Sequence, residues 1–227
     1  MKPIPRWVRL PSEWINNGGL KAFRWERGLG ADNIAALMAL MVIAHHSDSE
    51  SGIATVTYDT LCTATSLSRS KLANGLDIIE AQQIITRAPK GRSTYELCNF
   101  SREGGWAMLP AKRLYHGNRV SALGDFRLRN ATELNALKLY FLFVARRGRD
   151  TNLANISFDK IHEYTGIDRS KIKAATSLLA TSSLAYTERL LSTTNDFGVA
   201  NAYRLAGLDT YNHMGTRGRG LEAADFD

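Results

Sequence analysis

The stretch Val56 to Leu72 (VTYDTLCTATSLSRSKL) returns as Ile156 to Ile172 (ISFDKIHEYTGIDRSKI), one hundred positions later and without a gap. Five of the 17 positions are identical: Asp59/Asp159, Thr65/Thr165, Arg69/Arg169, Ser70/Ser170 and Lys71/Lys171. Six more keep their chemistry, among them Val56/Ile156, Leu61/Ile161, Leu67/Ile167 and Leu72/Ile172. A chain that repeats its pattern is expected to build the same unit twice. Its 227 residues leave room for two units of about 100 residues each.

The likeness runs past the segment on both sides. Ile34, Leu37, Met41 and Ala44 match Leu134, Leu137, Phe141 and Val144, with the spacing of one helix face. Leu10-Pro11 resembles Leu109-Pro110, and Tyr95-Glu96-Leu97 resembles Tyr203-Arg204-Leu205 at an offset of 108. The second copy therefore carries eight extra residues before its last strand. Glu103-Gly104-Gly105 breaks both periodicities and marks the boundary. The expected division is residues 1–100, residues 106–206 and a flexible tail, 207–227.

Local signals set the elements of each copy. The first helix is expected to start on Asp32 or Thr132 as N-cap and to run to about Ser47 or Arg147. A short β-prone stretch follows at Ile53 to Val56 and Leu153 to Ile156. A second helix is capped by Thr57 or Ser157 and stapled by Val56–Leu61 or Ile156–Ile161. It ends near Thr65 or Thr165, where Gly166 suits a C-terminal cap. A third helix starts three residues on, capped by Ser68 or Asp168, with Leu67 or Ile167 plugging the turn. Two strands then close each copy, 84–87 with 94–97 and 184–190 with 199–205. The first pair turns at Pro89-Lys90-Gly91-Arg92 and the second near Asn195-Asp196-Phe197-Gly198. The fold class is mainly α with small β-hairpins (α+β).

This order of helix, strand, helix, helix, strand, strand resembles the winged-helix family of DNA-binding domains, over residues 30–98 and 130–206. The resemblance implies two tandem units, each with a helix-turn-helix and a wing. The tandem layout is similar to that of plasmid replication initiators, which bind repeated origin sites, repress their own promoter and can self-associate. Transcription regulation at a promoter, and a protein-interaction adaptor, are the rival expectations. None of the three is an enzyme.

In such domains the first turn of the third helix enters the major groove. Here that turn holds Ser68, Arg69, Ser70 and Lys71 in one copy and Arg169, Ser170 and Lys171 in the other. Arg grips guanine with two hydrogen bonds, Asn74 has the groups to read adenine, and Lys and Ser suit phosphates or base edges. Lys173 is the nearest counterpart of Asn74. Arg87, Lys90 and Arg92 make the first wing basic, whereas Asp196 makes the second unfavourable for phosphate. Nine basic residues between Lys112 and Arg149, Lys138, Arg146 and Arg147 among them, face only Asp125 and Glu133 and are expected to track the backbone.

Charge agrees with a double-stranded DNA partner: 29 Lys and Arg against 22 Asp and Glu give +7. Two cysteines make no disulfide scaffold, so a reducing, cytoplasmic, DNA-associated setting is expected. No apolar run reaches the length of a membrane helix, and the first residues lack a signal-peptide core. No zinc-ligand spacing, phosphate-binding loop or Ser-His-Asp arrangement is present, so no metal, cofactor or small-molecule ligand is expected. His45-His46 reads as a polar helix end. Trp7, Trp14, Trp25 and Trp106 read as packing residues.

Overall fold

The computed structural model describes residues 3–88, 90–149, 151–191 and 199–208. The molecule is a mixed α+β protein. Its first half contains β1 (Trp7–Pro11), the short α1 (Glu13–Asn16), α2 (Gly30–His45), β2 (Ile53–Thr55), α3 (Tyr58–Thr65), α4 (Arg69–Ala81), β3 (Ile85–Arg87) and β4 (Thr94–Leu97). The second half contains β5 (Trp106–Pro110), a hairpin of β6 (Tyr115–His116) and β7 (Arg119–Val120), α5 (Ala131–Arg146), β8 (Leu153–Asn155), α6 (Phe158–Thr165), α7 (Arg169–Thr181), β9 (Ala185–Leu191) and β10 (Val199–Leu205). From α2 and from α5 onward the two halves have the same element order. Their antiparallel sheets have the same topology as well, β2-β4-β3 and β8-β10-β9.

Most local signals act as expected. Thr57 accepts from Thr60 N at 3.1 Å and Ser157 from Lys160 N at 3.2 Å, fixing the starts of α3 and α6. These helices end in left-handed residues, Ser66 at φ 60° and Gly166 at φ 69°. Leu67 and Ile167 are buried in the turns that follow. Ser68 accepts from Lys71 N at 3.3 Å, but Asp168 makes no capping hydrogen bond.

The first helices depart from the reading. Asp32 is not the cap: α2 begins two residues earlier, and Asp32 lies inside its first turn. In α5 the cap is Asn130 rather than Thr132. Its Oδ1 accepts from Glu133 N at 3.1 Å, while the Glu133 carboxylate reaches back to the N–H groups of Arg127 and Arg129. The expected single apolar face is also too narrow. Residues 32–45 of α2 and 136–144 of α5 are buried without a break, because α2 and α5 pack on each other and also on α4 and α7. A helix covered from every side has no polar face to alternate with.

What joins the halves is an exchange of their leading segments. β1 and β5 pair antiparallel, Trp7 with Pro110 and Pro11 with Trp106, centred on Arg9 opposite Met108. Trp7 and Trp106, equivalent residues of the two leaders, stack at 5.9 Å. A pairing of equivalent segments that is self-complementary is what an approximate two-fold axis produces. Contacts beyond the strands are reciprocal. Trp14 lies 6.3 Å from Phe141 of α5, and residues 19–22 touch α6. In return, β7 touches α3, and Tyr115 and Pro110 bind His45 at the end of α2. One continuous apolar core runs through both halves.

His45 is thus a core residue and not a polar helix end. Its Nε2 lies 2.9 Å from the Pro110 carbonyl, which only accepts, so Nε2 carries the hydrogen. Nδ1 then accepts from the Tyr115 hydroxyl at 3.0 Å. Burial holds the ring neutral, with its pKa down at about 3. Trp25 packs its ring on Gly30, where an added Cβ would stand 2.4 Å from it, and keeps 40 % of its surface exposed. The Asn195–Gly198 turn and residues 209–227 lie outside the described residues. Among the described residues no helix is long and apolar enough to cross a membrane.

Candidate nucleic-acid interface

Each half presents the same exposed corner. A helix of eight residues, a three-residue turn with a buried plug and a helix of 13 residues place Arg69-Ser70-Lys71 and Arg169-Ser170-Lys171 at the first turns of α4 and α7. Ser68, Arg69, Ser70, Arg169, Ser170, Lys171 and Lys173 are exposed. Leu72 and Ile172 point inward and anchor the turns.

The arginines are held in matched poses. Arg69 pairs with Asp59, and Arg169 Nε lies 2.6 Å from Asp159 Oδ1. Both guanidinium side chains remain about two-thirds exposed, at 68 % and 64 %. Such exposed pairs contribute about 0–1 kcal/mol, so an anionic ligand can exchange the carboxylate. Asp59 and Asp159, identical positions of the repeat, therefore orient the arginines. In the first half Tyr58 adds to this. Its hydroxyl donates to the Arg69 carbonyl at 3.0 Å, and its ring lies 5.6 Å below the guanidinium. Phe158 has no hydroxyl with which to do the same.

Three of the expected contact residues are less available than the sequence suggested. Lys71 Nζ lies 2.7 Å from Asp32 Oδ1, and Asn74 Nδ2 lies 3.1 Å from Asp32 Oδ2. Asn74 is exposed and Lys71 half-exposed, yet both are tied to α2. Arg87 does not serve the wing tip. Its Nε donates to Glu80 Oε2 at 2.6 Å and a terminal nitrogen meets Asp77 at 2.8 Å, which stitches β3 to α4. The hydrogen bond that Arg87 donates to Glu80 raises the Arg87 pKa and lowers that of Glu80. Lys90 and Arg92 remain exposed and without an ion-pair partner among the described residues. Pro89, beside them, is outside those residues.

The basic stretch from Lys112 to Arg149 is not one surface. Lys138 is buried, at 5 % exposure, and donates to the Phe23 carbonyl at 2.8 Å. Desolvation lowers its pKa to about 8, with the Arg24 charge adding to the shift. It can contact no backbone phosphate. Arg146 is exposed and lies over the Tyr164 ring at 4.2 Å, while Arg147 donates to the carbonyls of Gly148 and Arg149. These two shape the end of α5 and the turn after it.

Two features escaped the sequence. One is the role of Asp32, whose only signal was an acid where the second half has Thr132. The other is a cleft of about 950 Å³ between the leader and the turn after α2, lined by Arg6, Trp7, Arg9, His46, Asp48 and Lys90. Among the described residues no cluster of three or more His, Cys, Asp or Glu is placed to hold a metal. Compared with known proteins, the chain matches no protein-family model, no curated protein and no solved structure.

Proposed function

We propose that this chain binds double-stranded DNA sequence-specifically, as two tandem winged-helix units that insert α4 and α7 into neighbouring major grooves. The observation that carries the reading is the matched pair of exposed first turns. Each has an arginine pre-oriented by an aspartate from the preceding helix. An exposed, oriented guanidinium at the start of such a helix suits the O6/N7 edge of guanine. Ser68, Ser70 and Ser170 suit phosphate oxygens beside it, and Lys90 and Arg92 suit the flanking backbone.

The approximate two-fold bears on the symmetry of the site. Tandem linkage alone favours a directly repeated or asymmetric site. Halves related by a dyad turn their recognition helices in opposite senses, so a single chain reads an inverted pair of half-sites. An origin carrying several copies of that composite site then recruits several chains, the mode of a plasmid replication initiator.

Selection of bound sites from a random duplex library, followed by footprinting, tests the reading. A footprint of two inverted half-sites about one helical turn apart is expected, with affinity that falls steeply as salt rises. Salt-insensitive binding, or no duplex binding, overturns it in favour of a protein-interaction module. Loss of replication on deletion of the gene from its replicon separates an initiator from a promoter regulator.

A further inference from the structure

We propose that Asp32 is a positioning residue that gives α4 an adenine-reading amide beside its arginine, where α7 has only phosphate-holding lysines beside its own. The inference rests on the DNA-binding reading above and goes beyond it in separating the two heads.

Asp32 sits in the first turn of α2 with 8 % of its surface exposed, where the helix dipole favours its charge. One oxygen takes Lys71 Nζ at 2.7 Å and the other takes Asn74 Nδ2 at 3.1 Å. A carboxylate only accepts, so the amide nitrogen of Asn74 must face it and Oδ1 must face away. The amide keeps one N–H and its carbonyl oxygen unused. That donor–acceptor pair is what the N7/N6 edge of adenine takes in the major groove. A free Asn side chain samples several rotamers and both amide orientations. Asp32 removes that freedom before the ligand arrives. Lys71, three residues earlier on the same helix face, is held by the same carboxylate.

The second half keeps the lysine of this device but lacks its carboxylate and its amide. The matching positions hold Thr132, Lys171 and Ala174. Lys171 and Lys173 are exposed and have no ion-pair partner among the described residues. A flexible ammonium on a four-carbon stem is a point charge suited to phosphate, with little geometric selectivity between bases. The two heads therefore differ in kind: α4 is pre-set for an adenine beside the base gripped by Arg69, whereas α7 adds to the salt-dependent term.

The full-length chain tests this by site selection and salt titration with Asp32→Thr, Asn74→Ala, their double variant, Lys171→Ala and Lys173→Ala. Asp32→Thr and Asn74→Ala are each expected to lose about tenfold discrimination at one A·T pair of one half-site, leaving affinity for unrelated duplex within about threefold. The double variant should lose no more than Asn74→Ala alone, since both act through one amide. Lys171→Ala and Lys173→Ala should weaken all sequences alike and each lower the salt slope by about one. The proposal is overturned if Asn74→Ala leaves the base profile intact, a test that an exposed substitution allows even if Asp32→Thr fails to fold. It is also overturned if Asn74→Ala alters the profile and Asp32→Thr does not, or if the α7 lysines set a base preference. Binding that responds to Arg69→Ala but shows any of these results removes this inference alone. Absence of duplex binding removes it together with the reading beneath it.

Discussion

The two halves share an element order and a sheet topology, yet matched positions do opposite jobs. Position 38 is a buried methionine in α2, and position 138 is a buried lysine in α5. Position 75 is a glycine that lets α4 approach α2, and position 175 is a buried alanine facing α5 from α7. Position 45 is a buried histidine, and position 145 an alanine. The difference shows that the shared pattern specifies which positions face inward, while the neighbour across the contact decides which side chain fits there.

Exchanging residues between the halves breaks or sharpens that comparison, and Gly75→Ala should have the largest effect. A Cβ at Gly75 would stand 2.7 Å from Ala36 N and 2.8 Å from Ala35 C, both backbone atoms. Separating α2 from α4 to admit it should cost about 1–3 kcal/mol, read by denaturant unfolding. The reverse change, Ala175→Gly, should cost only about 1 kcal/mol, as for a glycine inside a helix. Equal costs would mean that the two helix pairs are spaced alike.

Lys138→Met, which copies position 38, tests the buried charge. The folded pKa of Lys138 lies below its unfolded value, so the folded state gives up the proton first as pH rises. Between about pH 8 and pH 10.5 the unfolded chain holds more protons, and stability due to this group therefore increases with pH, by up to about 1.4 kcal/mol per unit. Below pH 8 the charged, buried form is a standing penalty. The difference in unfolding free energy between the two proteins should shift across that window, and a constant difference would show that Lys138 is solvated. The lost hydrogen bond to the Phe23 carbonyl offsets about 1 kcal/mol of the gain at neutral pH.

Arg69→Ala and Arg169→Ala should each weaken specific duplex binding by about 1–3 kcal/mol in a titration against the selected site. A cost at one head only would mean that a single half docks on DNA. Next comes the cap. Ser68→Ala should destabilise the fold by about 1 kcal/mol in thermal unfolding, whereas Asp168→Ala should change it by a few tenths, because Asp168 makes no capping bond. The smallest effect belongs to the wing. Lys90→Ala and Arg92→Ala should each lower the salt slope by about one without altering base preference.

Much of this architecture is legible in the chain. The spacing of Val56–Leu61 and Ile156–Ile161, the caps at Thr57, Ser157 and Ser68, and the plugs at Leu67 and Ile167 are local devices whose partners lie within a few residues. Short-range hydrogen bonds and staples leave their mark in the sequence, since both members are read in one window. The exposed arginines at 69 and 169 follow from the same register. The pairing of Arg87 with Glu80 and Asp77, the burial of Lys138 against Phe23 and the hold of Asp32 on Lys71 and Asn74 join residues from 7 to 115 positions apart. A basic side chain in a sequence carries charge whether it faces water or a carbonyl, so counting cations could not separate the free from the engaged.

By itself the sequence determined that there are two like units, where the second and third helices of each begin, and which turn of each bears Arg-Ser-Lys. Those outcomes depend on backbone preference and on periodicity, both set over a few residues. Only the tertiary structure decided that the leaders cross over to the opposite half, that α2 and α5 lie buried on all sides and that Asp32 holds Lys71 and Asn74 of one head with no counterpart in the other. Contacts of that kind exist only once distant segments are brought together, and their energies depend on what each side chain meets there.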